Sequence, residues 1–349
     1  MQEPNFDTRA VAISGDGSTI VGYSEIDEPN TTRTYERAVS WGLDGQINRL
    51  FAETLQQPQG VAGAVNFDGS VIGGTINGVF AGGVTDAFVY RESTGPVLLG
   101  AGQDEYFGTN VTAMSSDGTT FAGRVRAVQQ YTPLIWTDGG ATVRQIDGFE
   151  DVASLSVEAM SADGSTIAGT WNKNGGLQRG FIWSETTGRV DLGIDTPTTF
   201  SGHLFKDMSD DGKTFLLDFP MTGPTLYSEA EGLRVLEVPD AFETAEVLSM
   251  SGDGSVVVGY VRAGSERTQG YWVDGNFNLF SDALAANGLT VGEFDIDFLV
   301  DVADDGRTFV GYGELDDGQE RGFVAVIPEP ALLSAVVIGG LCLLRRRLT

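Results

Sequence analysis

The chain has 349 residues, a net charge of −28 and one cysteine. Such acidity excludes nucleic acid and anionic lipid as partners of the chain's body, since like charges repel. With Cys342 as its only cysteine, the chain has no intramolecular disulfide and no metal site built from several thiolates.

The body consists of a repeated unit that is marked by an Asp-Gly pair. At the repeated position the pair recurs seven times, at steps of 42 to 52 residues, at Asp16, Asp68, Asp117, Asp163, Asp211, Asp253 and Asp305. Apolar residues lie three positions before and four positions after each aspartate. A glycine follows two residues later in six units, and the fifth unit has Leu217 there. Self-similarity at a fixed period predicts a repeat fold.

Each unit predicts two β-hairpins. A short strand, a tight Asp-Gly turn and a strand rich in β-branched residues form the first hairpin. The second hairpin begins with segments such as Gly180 to Trp183. Four strands in about 48 residues match a propeller blade, so the predicted fold class is all-β, a seven-bladed β-propeller of four-stranded blades over residues 1–327. A β-solenoid is the alternative, but its repeats are normally shorter.

Three units depart from the pattern. The fifth is short and has Asp218-Phe219-Pro220 where other units have glycine. The sixth contains an insert, Ser281 to Gly288, that predicts one short helix. The seventh ends after its third strand near Ala325, and we expect the N-terminal segment to supply the missing strand.

Few residues suggest catalysis or metal binding. The Asp-Gly pairs lack the alternating oxygen ligands of a calcium loop and are typical of turns. His203 is the only histidine, so any Ser-His-Asp triad would have to use it, and its surroundings are not those of a nucleophile elbow. We therefore predict no catalytic residue, no metal site and no cofactor. Four tryptophans at one repeat position predict core packing: Trp41, Trp136, Trp183 and Trp272.

Candidate binding residues lie in the variable segments at the end of each unit opposite the Asp-Gly turns. Loops on a rigid scaffold are where binding sites usually occur. Aromatic and arginine side chains there would suit a carbohydrate, although the same composition is also typical of a hydrated surface. The candidates are Tyr23, Tyr35, Arg124, Tyr131, Trp171, Tyr260, Arg262 and Tyr312.

Residues 328–349 form a separate C-terminal segment. Pro328, Glu329 and Pro330 precede an apolar run from Ala331 to Leu344, which ends at the basic cluster Arg345, Arg346 and Arg347. As a helix this run would rise about 21 Å, against a bilayer core of about 30 Å. We predict a short apolar helix that anchors the chain with its arginines in the cytoplasm. A buried terminal element of a soluble protein is the alternative.

This segment resembles the PEP-CTERM sorting tail of Gram-negative bacteria, also classified as an ice-binding-protein C-terminal domain. The resemblance implies that an exosortase-type transpeptidase cuts near Pro328 to Pro330 after the tail has held the protein transiently in the inner membrane. The repeats resemble HAF-type repeats of exported bacterial proteins. This second resemblance implies a secreted, propeller-like protein and leaves its ligand open.

An exported chain needs a signal peptide, and residues 1–9 (MQEPNFDTR) lack its basic start and apolar stretch. We expect an upstream segment to supply it. The leading hypothesis is a non-enzymatic protein of the cell surface or exopolysaccharide matrix that binds matrix polysaccharide or another protein. The alternatives are a propeller-fold polysaccharide lyase or hydrolase and a calcium-dependent adhesin.

Overall fold

The computed structural model describes residues 7–27, 34–51, 59–77, 85–100, 108–126, 131–150, 152–172, 178–196, 204–219, 223–289, 294–316, 318–328 and 342–343. The strands of the first four units are β1 Thr8–Ile13, β2 Thr19–Asp27, β3 Thr34–Gly42, β4 Ile47–Arg49, β5 Gln59–Val65, β6 Val71–Asn77, β7 Thr85–Arg91, β8 Gly95–Leu99, β9 Gly108–Met114, β10 Phe121–Arg126, β11 Tyr131–Thr137, β12 Thr142–Gln145, β13 Ser154–Met160, β14 Thr166–Asn172, β15 Gln178–Ser184 and β16 Gly188–Thr196.

The remaining strands are β17 Phe205–Met208, β18 Thr214–Phe219, β19 Gly223–Ser228, β20 Gly232–Val235, β21 Thr244–Met250, β22 Val256–Ala263, β23 Glu266–Val273, β24 Asn276–Leu279, β25 Phe294–Val302, β26 Thr308–Leu315, β27 Glu320–Val326 and β28 Cys342–Leu343. A 3-10 turn spans Asp138–Gly140, and the described residues contain one α-helix, α1 Phe280–Ala286. This helix confirms the prediction for the insert in the sixth unit.

An Asp-Gly turn joins the first two strands of each unit, as predicted. In the fourth unit, Asp163 Oδ1 accepts hydrogen bonds from the Ser161 hydroxyl at 2.7 Å and the Ser165 amide at 2.9 Å. Gly164 follows with φ +71°, in the left-handed region that glycine adopts without strain. Hydrogen bonds from Ser165 and Ser161 lower the pKa of Asp163.

The predicted count of seven separate four-stranded blades is wrong. The structure has five four-stranded sheets, while the second and third units share one eight-stranded sheet. These two units are joined because β7 and β9 pair in parallel at Thr85 and Gly108. A side chain at position 108 would come within 3.3 Å of Thr85, so glycine permits the close approach. The fold is therefore a β-propeller of five separate blades and one double-width sheet.

The first strand of each unit, here called its inner strand, lies beside the inner strand of the next unit, and β25 lies beside β1. The inner strands thus form a closed ring. Hydrophobic clusters fill the spaces between neighbouring sheets, as where Val21 and Ala38 of the first sheet contact Ile72 and Phe88 of the second. The four tryptophans predicted to be core residues are at most 6% exposed, which confirms that prediction.

A bulge in the inner strand explains the recurring glycine. In β5 the register shifts between Ala62 and Ala64, so the carbonyl of Val61 turns toward Gly74 on β6. A Cβ added to Gly74 would lie 2.2 Å from that oxygen, which is closer than real atoms approach. The same backbone clash, at 1.9 to 2.1 Å, would arise at Gly22, Gly123, Gly169, Gly259 and Gly311.

The first and last sheets meet without sharing a strand. The N-terminal segment was expected to complete the last sheet, and this expectation is wrong because β28 pairs with β27 there. The N-terminal segment instead contacts the last sheet through side chains. Asp7 Oδ1 accepts a hydrogen bond from the Glu320 amide at 3.0 Å, and Thr8 Oγ1 accepts one from the Gly322 amide at 3.2 Å.

The predicted apolar helix at the C-terminus is also wrong. Of residues 329–349 the structure describes only Cys342 and Leu343, and they form a strand rather than a helix. Within the described part of the chain, no helix is both long enough and apolar enough to cross a bilayer. The predicted sorting residues Glu329, Pro330 and Arg345 to Arg347 lie outside the described residues, whereas Pro328 is the last described residue before them.

Candidate functional site

One position in the repeat places side chains on the rim opposite the Asp-Gly turns, here called the upper rim. This position lies seven residues after the aspartate of the pair, directly after the recurring glycine. Its neighbour across the first hairpin lies seven residues before the same aspartate. The pairs formed in this way include Arg9 with Tyr23, Asn110 with Arg124, Glu246 with Tyr260 and Phe298 with Tyr312.

Arg9 joins the first sheet to the last on the upper rim. Its guanidinium donates two hydrogen bonds to the carboxylate of Glu320, one of them 2.7 Å long. The same guanidinium lies 5.0 Å from the ring centre of Tyr312 and 6.0 Å from that of Tyr23. The hydrogen bond with Glu320 raises the pKa of Arg9, so this cation is permanently charged and already paired.

Tyr260 is the most buried aromatic residue of the upper rim, at 3% exposure. Its hydroxyl donates to Glu246 and accepts a hydrogen bond from Arg262 at 3.0 Å. Burial, followed by the hydrogen bond to Glu246, raises the pKa of Tyr260. Arg262 also lies 3.9 Å from the Glu246 carboxylate, so these three side chains form one connected network.

Arg267 adds a second cation to the same ring. It lies directly opposite Arg262 in the β22–β23 hairpin. The guanidinium carbons of Arg262 and Arg267 are 5.0 and 5.3 Å from the centre of the Tyr260 ring. Arg267 also lies 4.8 Å from the ring centre of Phe298, and it is exposed. Within the described part of the chain, Arg267 forms no ion pair.

These contacts form a continuous surface across three sheets, which we call the aromatic–arginine belt. Phe298 connects its two halves, since its ring centre is 5.8 Å from that of Tyr260 and 5.2 Å from that of Tyr312. The belt consists of Arg9, Tyr23, Glu246, Tyr260, Arg262, Arg267, Phe298, Tyr312 and Glu320.

A lysine extends the network from the belt to the fifth unit. Lys206 Nζ lies 3.7 Å from Asp218 and 4.0 Å from Glu246. Burial raises the pKa of Asp218 to about 6, while the charge of Lys206 opposes that rise. Glu246 therefore receives positive charge from two sides, from Arg262 and from Lys206.

Four of the eight predicted binding residues come together in the belt: Tyr23, Tyr260, Arg262 and Tyr312. Arg124 and Tyr131 form a second, separate cluster in the third unit. The Arg124 guanidinium lies 4.7 Å from the centre of the Tyr131 ring and donates a hydrogen bond to the carbonyl of Leu155. These two residues therefore contact each other but not the belt.

Trp171 is buried rather than presented to solvent, at 4% exposure. Its indole N–H donates to Asp191 at 3.0 Å, and the Arg189 guanidinium lies 4.4 Å from the ring centre. A sugar-binding aromatic ring needs one face open to solvent, and the ring of Trp171 is buried, so Trp171 is better suited to packing than to binding. Tyr35 lies on β3 opposite Ile26, half-buried and away from the belt. His203 lies outside the described residues.

The sequence analysis missed Arg9, Glu246, Phe298, Arg267 and Glu320. A signal for three of them was available, because Arg9, Glu246 and Phe298 lie seven residues before Asp16, Asp253 and Asp305. Arg267 and Glu320 lie on third strands, where no repeated residue marks the position. In the described ranges, no three His, Cys, Asp or Glu side chains are grouped to hold a metal ion.

The comparisons with known proteins concern the fold. No family model and no curated protein matches the chain. Among solved structures, a prolyl endopeptidase superposes with TM-score 0.64 and 10% identity, over 94% of this chain and 49% of that one. An acylaminoacyl peptidase, solved with Z-Gly-Gly-Phe-chloromethyl ketone, superposes with TM-score 0.59 and 11% identity over 92% of this chain. The chain spans 51% of the length of that peptidase.

A third solved structure has nearly the same extent as this chain. The β-propeller domain of the Trilobed protease from Pyrococcus furiosus, described as having an open velcro topology, superposes with TM-score 0.58 and 12% identity. The alignment covers 92% of this chain and 95% of that domain. At such identities the likeness shows a β-propeller fold and nothing about activity.

Proposed function

We propose that this protein is an exported, non-enzymatic binding protein of the cell surface or exopolysaccharide matrix, and that it holds a glycan on the aromatic–arginine belt. The observation that supports this proposal most directly is the pair of arginines on Tyr260. Like charges placed directly opposite in a hairpin destabilise it. Glu246 compensates Arg262, whereas Arg267 is exposed and forms no ion pair in the described part of the chain.

The chemistry of Arg267 favours a carboxylate-bearing sugar. A guanidinium presents parallel N–H donors that match a carboxylate in two hydrogen bonds. Phe298 and Tyr260 hold the Arg267 guanidinium in place, so less side-chain entropy is lost on binding. The apolar face of a sugar ring can contact the partly exposed ring of Phe298, whereas Tyr260, at 3% exposure, only positions the guanidinium.

The charge of the body limits the length of such a ligand. The segment from Ala331 adds three arginines and no acidic residue, so residues 1–330 carry a net charge of −31. Long polyanions are repelled by this field at low ionic strength. We therefore expect binding of short or sparsely charged uronic-acid glycans, with affinity that rises as salt screens the repulsion.

Binding of oligouronates to the full-length chain tests this proposal by calorimetry. We expect Arg267→Gln to weaken binding at least tenfold, since a charge-assisted hydrogen-bonded pair contributes about 1.5–3 kcal/mol. Arg234→Gln is the matched control, because Arg234 is an exposed arginine on β20, away from the belt. Equal affinity of Arg267→Gln and wild type, or no binding of any uronate, would contradict the proposed site.

Export is proposed from the tail sequence and can be tested separately. Intact masses of the native protein from cell fractions would show whether a form cut near Pro328 to Pro330 lies outside the cytoplasm. An uncut form that is confined to the cytosol would refute sorting by an exosortase-type transpeptidase. Glycan binding by the body would be unaffected by that result.

A second candidate function is supported by the comparisons. The chain matches the propeller part of peptidases that are about twice its length. It could accordingly act beside a separate catalytic subunit. Cross-linking of the native protein followed by mass spectrometry would identify a peptidase partner, and its absence would leave the glycan proposal as the better supported one.

The polysaccharide lyase or hydrolase alternative receives less support. Tyr260 is the belt residue placed between an arginine and a carboxylate, as a catalytic base would need. However, it is 3% exposed, and burial together with Glu246 raises its pKa. A tyrosine held in its neutral form removes protons poorly. A calcium-dependent adhesin has no grouped metal ligands to support it in the described residues.

A further inference from the structure

Three half-buried side chains from three neighbouring inner strands meet within the ring: Asp207 of β17, Ser249 of β21 and Asp301 of β25. Ser249 Oγ lies 2.8 Å from Asp207 Oδ2 and 2.5 Å from Asp301 Oδ1. A hydroxyl has one hydrogen, which it donates to one of these oxygens or shares between both. A hydrogen on one carboxyl would give each of the two short contacts its own hydrogen. The arrangement therefore favours protonation of one of the two aspartates.

The other donors to these carboxyls are backbone amides, which do not titrate. Asp207 accepts from the Met208 and Met250 amides, each at 2.8 Å. Asp301 accepts from the Ile13 and Val302 amides, each at 2.9 Å. Ile13 belongs to β1, so Asp301 connects the last sheet to the first sheet as well as to β21. These two sheets share no strand, and the carboxyl therefore lies where the ring closes.

A second pair of carboxyls lies closer to the Asp-Gly turns. The carboxyls of Asp210, which is exposed, and Asp304, which is half-buried, lie beside each other, and the charge of Asp210 raises the pKa of Asp304. Both lie against Gly252, where an added Cβ would come 2.4 Å from Asp210 Oδ2 and 2.7 Å from Asp304 Cγ. The Asp304 amide also donates to the carbonyl of Gly15 in the first unit, at 3.1 Å.

The charges acting on these four carboxyls are mainly other carboxyls. Asp207 and Asp210 act on Asp304, Asp207 acts on Asp301, and Asp211 and Asp253 act on Asp210. Cations and acids on the neighbouring strands face other partners. Lys206 lies by Asp218 and Glu246, Arg9 by Glu320, and Glu158 of β13 accepts from the Thr170 amide.

The surroundings favour the protonated forms. Burial raises the pKa of Asp301 to about 7, although hydrogen bonds from Ser249 and the Ile13 amide oppose the rise. Burial, followed by the charge of Asp210, raises the pKa of Asp304 to about 6. Burial likewise raises the pKa of Asp207. An unfolded aspartate has a pKa near 3.9, so the folded protein retains protons that the unfolded chain has already lost.

We propose that closure of the ring between the first and last sheets depends on protons held by these carboxyls, and that this seam is the first part of the propeller to open as the pH rises. Loss of the protons leaves pairs of adjacent carboxylates without a cation between them. The stabilisation is fully present below about pH 4 and is lost as the pH passes through about 6 to 7. This pH-dependent stabilisation does not involve the residues of the aromatic–arginine belt.

Urea unfolding of the full-length chain between pH 5 and pH 8 tests this proposal. For wild type we expect the unfolding constant to increase at least tenfold over this range, since one retained proton changes it up to tenfold per pH unit. Asp301→Asn places an amide where the protonated carboxyl lies, so we expect its increase to be at least tenfold smaller than that of wild type, and the remainder comes from Asp304 and Asp218. Asp282→Asn, at an exposed residue of α1, should keep the wild-type dependence.

Hydrogen exchange locates the opening. After correction for intrinsic exchange rates, protection of β1 and β25 should fall with rising pH before protection of β13 does. If Asp301→Asn does not fold, Asp207→Asn provides the second variant, and it should also reduce the pH dependence because it removes both a carboxyl with a raised pKa and a charge that raises the pKa of Asp301. Equal pH dependence of wild type and the folded variants, or greater wild-type stability at pH 8 than at pH 5, would overturn the proposal.

Discussion

Substituting alanine at two glycines of one hairpin tests whether the inner-strand bulge dictates the recurring glycine. Gly63 and Gly74 both lie in the hairpin formed by β5 and β6, and neither has a positive φ. A Cβ at Gly63 would have no atom within 4 Å. A Cβ at Gly74 would lie 2.2 Å from the Val61 carbonyl oxygen and 2.9 Å from Phe88.

The two substitutions should change stability in opposite directions. Gly63→Ala should stabilise by about 0.4–1 kcal/mol, because alanine loses less backbone entropy on folding. Gly74→Ala has the same entropic advantage, because alanine loses less backbone entropy on folding. However, its Cβ would push the backbone of Val61 aside, since a carbonyl cannot rotate away as a side-chain tip can. Overpacking costs about 1–3 kcal/mol and more where backbone must shift, so we expect a loss of at least about 3 kcal/mol.

Urea unfolding, followed by tryptophan fluorescence, measures both free energies on the same scale. The difference between the two variants, about 4 kcal/mol, isolates the contact because residue type, hairpin and substitution are matched. A difference below about 1 kcal/mol would refute the argument that the Val61 carbonyl requires glycine. In that case the repeated glycine would need another explanation, such as the folding pathway.

Three further changes test other parts of the fold by the same urea assay. Asp163→Ala should destabilise by about 2 kcal/mol, because it leaves the Ser161 hydroxyl and the Ser165 amide without their acceptor; an unchanged midpoint would contradict the turn interpretation. The pKa of Asp163 is lowered in the folded state, so its contribution is present above about pH 4 and is lost as the pH falls further; Asp163→Asn should reduce this acid sensitivity. Leu217→Gly should cost about 3 kcal/mol, since Leu217 is fully buried where other units have glycine; a gain in stability would show that the fifth sheet tolerates the common residue.

The sequence was sufficient to predict what each unit determines by itself. The Asp-Gly turn is encoded locally, because Asp163 and Gly164 form it with side chains no more than two residues away. The hairpins, the short helix and the buried tryptophans follow from similarly local patterns. The number of separate blades does not, because β7 and β9 pair through contact between two units, at Thr85 and Gly108.

The binding surface was only half predictable for the same reason. Tyr23, Tyr260 and Tyr312 recur after a glycine and are therefore visible in the repeat. Their partners are on other strands, and the decisive contacts, such as Arg9 with Glu320, join residues 311 positions apart. Charge pairing across the seam cannot be found from composition in a chain with 49 acidic residues.

Two groups of aspartates in this propeller have opposite effects on stability. Turn aspartates such as Asp163 have a lowered pKa and stabilise the fold above about pH 4. Asp301 has a pKa of about 7 and stabilises the fold below about pH 7. The raised pKa of Asp301 contributes at most about 4 kcal/mol to the free energy of unfolding. The pKa rises by about three units from the unfolded to the folded state, and each unit corresponds to about 1.36 kcal/mol.

General repulsion within residues 1–330, of net charge −31, also increases with pH and could be mistaken for this effect. Salt separates the two causes, since exposed charges are screened within about 3 Å at 1 M whereas buried pairs are screened much less. If the seam argument holds, the loss of stability between pH 5 and pH 8 persists in 1 M salt and is smaller in Asp301→Asn. If repulsion alone acts, salt removes it and the substitution does not.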